Sequence, residues 1–316
     1  MGNTRTLYAA TRDNVYEYDA RRHSLWLHLP GNHLSESRAA FEVGVCGDVI
    51  EDAGVALHYA HLASCAFWTT THNQPCCCPK ESATTHANTS WRPRSSIHLV
   101  NTYGLMGTVA GITSELVAVS SDGSLPDPST NGSTLLEDGF ASLSYGDQFT
   151  GVELTLDQLS QIAWASYGCN PHYAANGKAA LTVASAVAYY LLTGRIYMVR
   201  STDVSRYQIR LPSGSETTRD HRIELVTPED RRSQLRAALP DLPPTAPNYF
   251  VFCASDTQRW HRLEAGFCGA SALLQATSLG LQGYFNSGFT AAERSAIINA
   301  LSIPANHLPL LVFSVG

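Results

Sequence analysis

Behind Thr155-Leu-Asp-Gln158, apolar side chains return every three or four residues, at Leu156, Leu159, Ile162, Ala163 and Tyr167. That spacing covers one face of a helix. The Thr and Gln form a capping box, in which hydroxyl and amide satisfy the free N–H groups of a first turn. A helix from Leu156 to about Tyr167 is predicted. Leu181 to Leu192 is apolar nearly all round and predicts a buried helix, whereas Arg195 to Arg200 and Arg206 to Leu211 alternate as strands do. Thr227-Pro228-Glu229-Asp230 predicts another helix start, with Pro in the first turn. Tyr249-Phe-Val-Phe-Cys253 is a short continuous apolar run and predicts a central strand. Leu263 to Leu279 predicts a long helix, and its Gly266, Gly269 and Ala residues imply close packing. Gly283 to Phe289 predicts a strand and turn, Thr290-Ala-Ala-Glu293 caps one more helix, and Leu308 to Val315 predicts a terminal strand.

Two stretches interrupt this pattern with Ser, Thr, Asn, Pro and Gly: Thr69 to Ser96, and Ser121 to Asn131. The second predicts a linker, because its Pro and Gly residues deny helix and ladder and it offers nothing apolar to bury. The expected organisation is a first unit over 1–122 with an inserted loop at 69–96, a linker over 123–148, and a second unit over 149–316. The first unit echoes the second. Val15-Tyr-Glu-Tyr18 parallels Arg206-Tyr-Gln-Ile209, His23-Ser-Leu-Trp-Leu27 parallels His221-Arg-Ile-Glu-Leu225, and Arg-Ala-Ala recurs at 38–40 and 236–238. Further on, Asp52-Ala-Gly-Val-Ala-Leu57 is set against Thr245-Ala-Pro-Asn-Tyr-Phe250, and Tyr103-Gly-x-x-Gly107 against Ala265-Gly-x-x-Gly269. Such an echo predicts two like halves packed as an intrachain pseudo-dimer.

Composition narrows the function. With 316 residues, 44% hydrophobic and 15% charged, the chain is an ordinary globular one. Its 21 Lys and Arg against 27 Asp and Glu give a net charge of -6, the wrong sign for a nucleic-acid binder. No apolar run reaches the ~18 to 20 residues that cross a bilayer, and no basic-then-apolar leader opens the chain, so a cytoplasmic protein without membrane contact is expected. Eight Cys in this length are not a disulfide scaffold. Cys76-Cys77-Cys78, flanked by Pro75 and Pro79 with His72 and His86 nearby, has the wrong spacing for one tetrahedral site. A surface insertion without metal is the expectation.

Leu159-Ser-Gln-Ile-Ala-Trp-Ala-Ser-Tyr-Gly168, Thr182-Val-Ala-Ser-Ala-Val-Ala-Tyr-Tyr190, Glu264-Ala-Gly266, Leu279-Gly-Leu281 and Ser287-Gly-Phe289, in this order, resemble the nitroreductase superfamily. Within it they are most similar to the azoline oxidases of streptolysin S-type peptide maturation. The resemblance covers Phe149 to Gly316 and, more weakly, Leu7 to Ser120. It implies an α+β fold with a mixed sheet flanked by helices, dimer-like pairing, and FMN held at the seam between two copies. It also implies hydride transfer at the flavin ring, on a modified peptide or a small organic substrate. By the same resemblance Ser185 faces the flavin, and Ser287 and Gly288 form the turn that meets its reactive nitrogen.

The sequence departs from the family at several of these points. Where relatives carry Arg-Arg-Ser-x-Arg to clamp phosphate, this chain has Leu143-Ser-Tyr-Gly-Asp-Gln-Phe149, with no cation. Arg92, Arg94, Arg195 and Arg200 are the candidate substitutes. Pro-Ser-Ala-Gly has become Ala184-Ser-Ala-Val187, and the Lys-Tyr pair of the azoline oxidases is replaced by Gln258-Arg-Trp-His261. His261 is the candidate catalytic base, because imidazole titrates near working pH; the bland alternative is a surface His. Tyr189 and Tyr190 read as core aromatics, Cys253 and Cys268 as inert buried thiols, and Glu264 as a helix N-terminal acid. Three readings stay open: an FMN-dependent oxidoreductase with a rebuilt clamp, a flavin-free descendant acting as a partner or regulatory protein, and a protein holding another ligand in the old flavin cleft.

Overall fold

The computed structural model describes residues 6–11, 13–32, 41–46, 49–67, 80–81, 97–99, 123–129, 132, 134–173, 179–183, 190–209 and 220–316. In its first part, strands β1 (Thr6–Thr11), β2 (Asn14–Asp19), β3 (Ser24–Pro30) and β4 (Phe41–Cys46) precede helix α1 (Ile50–Phe67) and the short strands β5 (Lys80–Glu81) and β6 (Ile97–Leu99). Helices α2 (Leu136–Ala141) and α3 (Leu156–Tyr167) and strands β7 (Cys169–Tyr173) and β8 (Ala179–Leu181) follow. The remainder is β9 (Ile196–Val199), β10 (Val204–Gln208), β11 (Arg222–Thr227), α4 (Arg232–Ala238), β12 (Asn248–Ala254), α5 (Arg259–Ser278), β13 (Gly283–Ser287), α6 (Ala291–Leu301) and β14 (Leu308–Val315). The fold is α+β. Among the described residues no helix is long and apolar enough to cross a membrane.

Two six-stranded sheets organise these elements, in the orders β3-β2-β1-β4-β6-β5 and β11-β10-β9-β12-β14-β13. Strand for strand the two orders correspond. In the first hairpin Ala10 pairs with Val15, and in the second Val199 pairs with Val204. The register against the next strand then slips between Val15 and Tyr16 in one sheet and between Val204 and Ser205 in the other, so that His28 of β3 and Val226 of β11 are the extra residues of corresponding bulges. A Tyr–His hydrogen bond also occurs at the same place in both, Tyr18 Oη to His23 Nδ1 and Tyr207 Oη to His221 Nδ1, each at 2.7 Å.

The second sheet is covered on both faces. Ile196, Met198, Phe250, Phe252 and Phe313 pack against α3, α5 and the α1 residues Ala53 and Leu57. Tyr197, Val199, Tyr249, Val251 and Cys253 pack against Leu235 of α4 and Ile297 and Leu301 of α6. This is why Tyr249–Cys253 reads as an unbroken apolar run: neither face of β12 meets water.

Helices α1 and α5 cross with backbone in contact. A Cβ added to Gly54 would lie 2.6 Å from the Leu263 carbonyl oxygen, and one added to Gly266 would lie 2.2 Å from the Glu51 carbonyl oxygen. Each glycine also faces the Cα of the other. Around the crossing, Arg262 donates through Nε and Nη2 to the fully buried Glu51 carboxylate at 2.7 and 2.8 Å, and His58 Nε2 lies 2.8 Å from Ser271 Oγ.

Several expectations are corrected. Asp52 to Leu57, set against a strand of the second half, lies inside α1, where Ala53, Val55 and Leu57 are buried by packing that local sequence does not reveal. The described part of Leu181–Leu192 is not helical. Leu181 ends β8 and Leu191 to Gly194 form a turn, because the Glu264 carboxylate captures the Leu191 and Leu192 N–H groups that a helix would need for itself. The helix expected from Thr227 begins at Arg232; Thr227 instead stays in β11, paired with Val204. The 123–129 segment does bury an apolar group, Leu125, since Gly123 and Leu125 exchange backbone hydrogen bonds with Ile223 and His221 along the β11 edge. The expected elements Arg38 to Ala40 and Tyr103 to Gly107 lie outside the described residues.

Candidate active site

The strand registers set one row across the second sheet. Ser287 is opposite Leu311, Leu311 opposite Phe252, and Phe252 opposite Ile196. The Ser287–Gly288 turn, Arg195 and the start of α5 with His261 therefore lie at the same end of the sheet. Arg200 lies at the other end, next to Val199 opposite Tyr249. Five residues of extended chain place Arg195 and Arg200 about 16 Å apart, too far to grip one phosphate together.

The turn itself is left-handed at Gly288, with φ of 74°. Only glycine adopts this without strain. Its open side faces α1: a Cβ there would sit 3.6 Å from both methyl carbons of Val49. Ser287 Oγ donates to Asp52 Oδ1 at 3.2 Å. Beside them Arg294 donates through Nε to the Pro309 carbonyl at 3.1 Å, and burial together with the nearby Arg262 loosens its hold on its proton against the pull of Glu51 and Glu293. The seam between the first-half helix and the second-half turn thus gathers Glu51, Asp52, Arg262, Ser287, Gly288 and Arg294.

His261 is half-buried. Burial lowers its pKa, Asp256 opposes that and Arg195 adds to it, so the ring is held neutral near pH 7. Among the described residues its Nδ1 has no hydrogen-bond partner. Arg195 donates through Nη1 to the carbonyls of Leu191 and Thr193 at 3.5 and 3.3 Å and so ties down the turn before β9, while its buried Nε is unpartnered among the described residues. The guanidinium fork of Arg200 is filled by Asp203, Nε to Oδ1 at 3.2 Å and Nη2 to Oδ2 at 2.5 Å. Ser185, Val187, Tyr189, Arg92, Arg94 and Cys76 to Cys78 lie outside the described residues.

Glu264 does not act as a helix N-terminal acid. It is fully buried within α5 and accepts from Tyr167 Oη at 2.6 Å and from the Leu191 and Leu192 N–H groups at 2.7 and 3.3 Å. Burial first, and the Glu264 charge second, push the Tyr167 hydroxyl well above the usual phenol range, which keeps it a donor. Sequence reasoning also missed Glu51, Asp52 and Arg294. The first two had one signal, the acidic pair ahead of Ala53-Gly-Val-Ala-Leu57, and Arg294 had none.

The stretch Leu143–Phe149, which the resemblance sets against a phosphate clamp, does not fit a phosphate. Its polar backbone is spent inward: Gly146 N–H donates to the Gly283 carbonyl, Gly283 N–H to the Ser144 carbonyl, Ser144 N–H to Thr277 Oγ1 and Phe149 N–H to Thr245 Oγ1. Tyr145 stacks on Tyr284 with ring centroids 5.3 Å apart, and a Cβ on Gly146 would meet Gln282 Nε2 at 2.2 Å.

A profile of the nitroreductase family matches residues 148–316. No curated protein matches the sequence. Among solved structures, a candidate nitroreductase from Anabaena variabilis is 13% identical with a TM-score of 0.65, over 99% of this chain and 80% of that one. Another from Ralstonia eutropha is 23% identical with a TM-score of 0.49, over 67% of this chain and 94% of that one. The Anabaena structure shares the fold over nearly the whole chain, both sheets included.

Proposed function

The chain belongs to the nitroreductase family, and from that membership we propose that it is an FMN-dependent oxidoreductase acting on a modified peptide or a small organic substrate. Bound FMN would supply the hydride chemistry, and the chain supplies binding, orientation and exclusion of water. The observation that carries the reading is the left-handed Gly288 following Ser287 at the seam with α1. These residues would take the ring edge, with Ser185 on the facing segment. Because Leu143–Phe149 is closed and Arg200 is spent on Asp203, the phosphate would be held by other cations of the chain; among the described residues, Arg195 is the sequence-named candidate at the Ser287 end of the sheet.

The similarity to azoline oxidases gives the peptide its place in the proposal. The corresponding strand orders, the matching bulges and the reciprocal Gly54–Gly266 contact support reading 1–122 and 149–316 as two copies of one unit, packed as an intrachain pseudo-dimer. In the same reading residues 123–148 join them, with Leu125 on the β11 edge, Gly139 against Leu274 of α5 and Phe140 against Tyr59 of α1. A second reading, a flavin-free member acting as a partner or regulatory protein, is favoured by the inward-turned donors of Leu143–Phe149.

Absorbance from ~300 to 550 nm on freshly purified protein, then chromatography of the chromophore released on denaturation, separates the two, since bound cofactor carries the chemistry. FMN near one per chain is the expected result. Protein that stays colourless after FMN is added would overturn the flavoenzyme reading and leave the partner reading.

A further inference from the structure

We propose that Asp52, carried by the first half, is a positioning residue for the Ser287–Gly288 turn of the second half. The proposal rests on the reading of that turn as the ring-edge site. Three neighbours remove freedom from Asp52. The residue before it, Glu51, is fully buried and held by both arms of the Arg262 fork. Two residues later, Gly54 lies against Gly266 with no side chain between the helices. One turn earlier, the Val49 methyls close on the open side of Gly288. The first turn of α1 is thus fixed against α5, and it delivers the Asp52 carboxylate to Ser287 Oγ at 3.2 Å.

The chemistry of that bond sets what the turn offers. A carboxylate only accepts, so the Ser287 hydroxyl hydrogen is committed to Asp52 and the Ser287 oxygen is left to accept from a ligand N–H. With FMN bound at the turn, the Asp52 charge would oppose the electron-rich reduced ring, so that removing it would raise the potential. Neutral Asn at this position keeps an acceptor for Ser287 and removes the charge. Leu removes both.

The test uses full-length protein and two readouts. Amide hydrogen exchange at Gly288 is followed in wild type, Asp52→Asn, Asp52→Leu, Ser287→Ala and the Asp52→Leu/Ser287→Ala double variant. One hydrogen bond to a charged group corresponds to about tenfold in a local opening equilibrium. Asp52→Leu and Ser287→Ala should each speed exchange by about that factor, the double variant no further, and Asp52→Asn should recover most of the protection. Additive effects of Leu and Ala, or unchanged exchange in both, overturn the proposal whether or not flavin binds. In flavin-loaded protein, Asp52→Asn should raise the midpoint potential, and an unmoved potential overturns the electrostatic part. Coupled exchange in a protein that binds no FMN would uphold the composite turn and refute the flavoenzyme reading instead.

Discussion

Substituting Gly266 by Ala tests the helix crossing directly. The added Cβ would lie 2.2 Å from the Glu51 carbonyl oxygen and 2.8 Å from the Gly54 Cα, and both are backbone atoms that no rotamer change can move aside. Restoring an ordinary contact requires α1 and α5 to separate by about 1 Å, and a gap of that size forfeits roughly a quarter to a half of the dispersion energy across the contact. Overpacking of this kind costs about 3 kcal/mol at the upper end of its usual range. Ala gains about 1 kcal/mol over Gly in a helix, which leaves a net loss of about 2 kcal/mol. In a chain of this size that lowers the melting temperature by about 4 °C in a thermal unfolding scan. Gly139→Ala is the control, because its Cβ meets only the tip of the flexible Leu274 side chain at 3.0 Å; its melting temperature should hold or rise slightly. If Gly266→Ala melts at or above the wild-type temperature, the helices do not meet backbone to backbone and the seam described above is wrong.

The pair of buried Glu51 and half-buried Arg262 predicts that Glu51→Gln is destabilising, by about 2 kcal/mol in chemical denaturation, since Arg262 loses its charge partner while part of it still reaches water; a loss under about 1 kcal/mol would refute this. Tyr167→Phe leaves Glu264 without its hydroxyl donor and should cost about 2 kcal/mol, with denaturant midpoint as the measure. His221, between Ser160 and Tyr207, has its pKa lowered to about 4 chiefly by burial. Its folded value lies below the unfolded one, so its contribution is fully present above about pH 6.5 and is lost as pH falls toward 4. Melting temperature should decline through that window, and His221→Gln should flatten the decline; an unchanged slope counts against it. Arg200→Ala should leave the flavin content of the purified protein unchanged, because Asp203 already occupies the guanidinium.

Elements with local signals are legible in the sequence. The capping boxes at Thr155 and Thr290 open α3 and α6 where the side-chain pattern puts them, and the apolar run Tyr249–Cys253 is β12. What stays hidden depends on distant contact. Asp52–Leu57 is a short apolar run that fits strand or helix equally, and α5 decides between them through Gly266. Leu181–Leu192 has the composition of a helix, yet a carboxylate from α5 holds its last N–H groups in a turn. The site divides the same way. Ser287 and Gly288 are named by the resemblance as candidates because their sequence carries the turn, whereas Asp52, proposed above to position them, reaches Ser287 across 235 positions of chain and has no signature of its own.

The crossing of α1 and α5 has a consequence for mass action. Where two separate chains form such a contact, dilution pulls it apart, and any pocket at the junction disappears with it. Here both helices belong to one chain, so the association is unimolecular and its free energy does not vary with protein concentration.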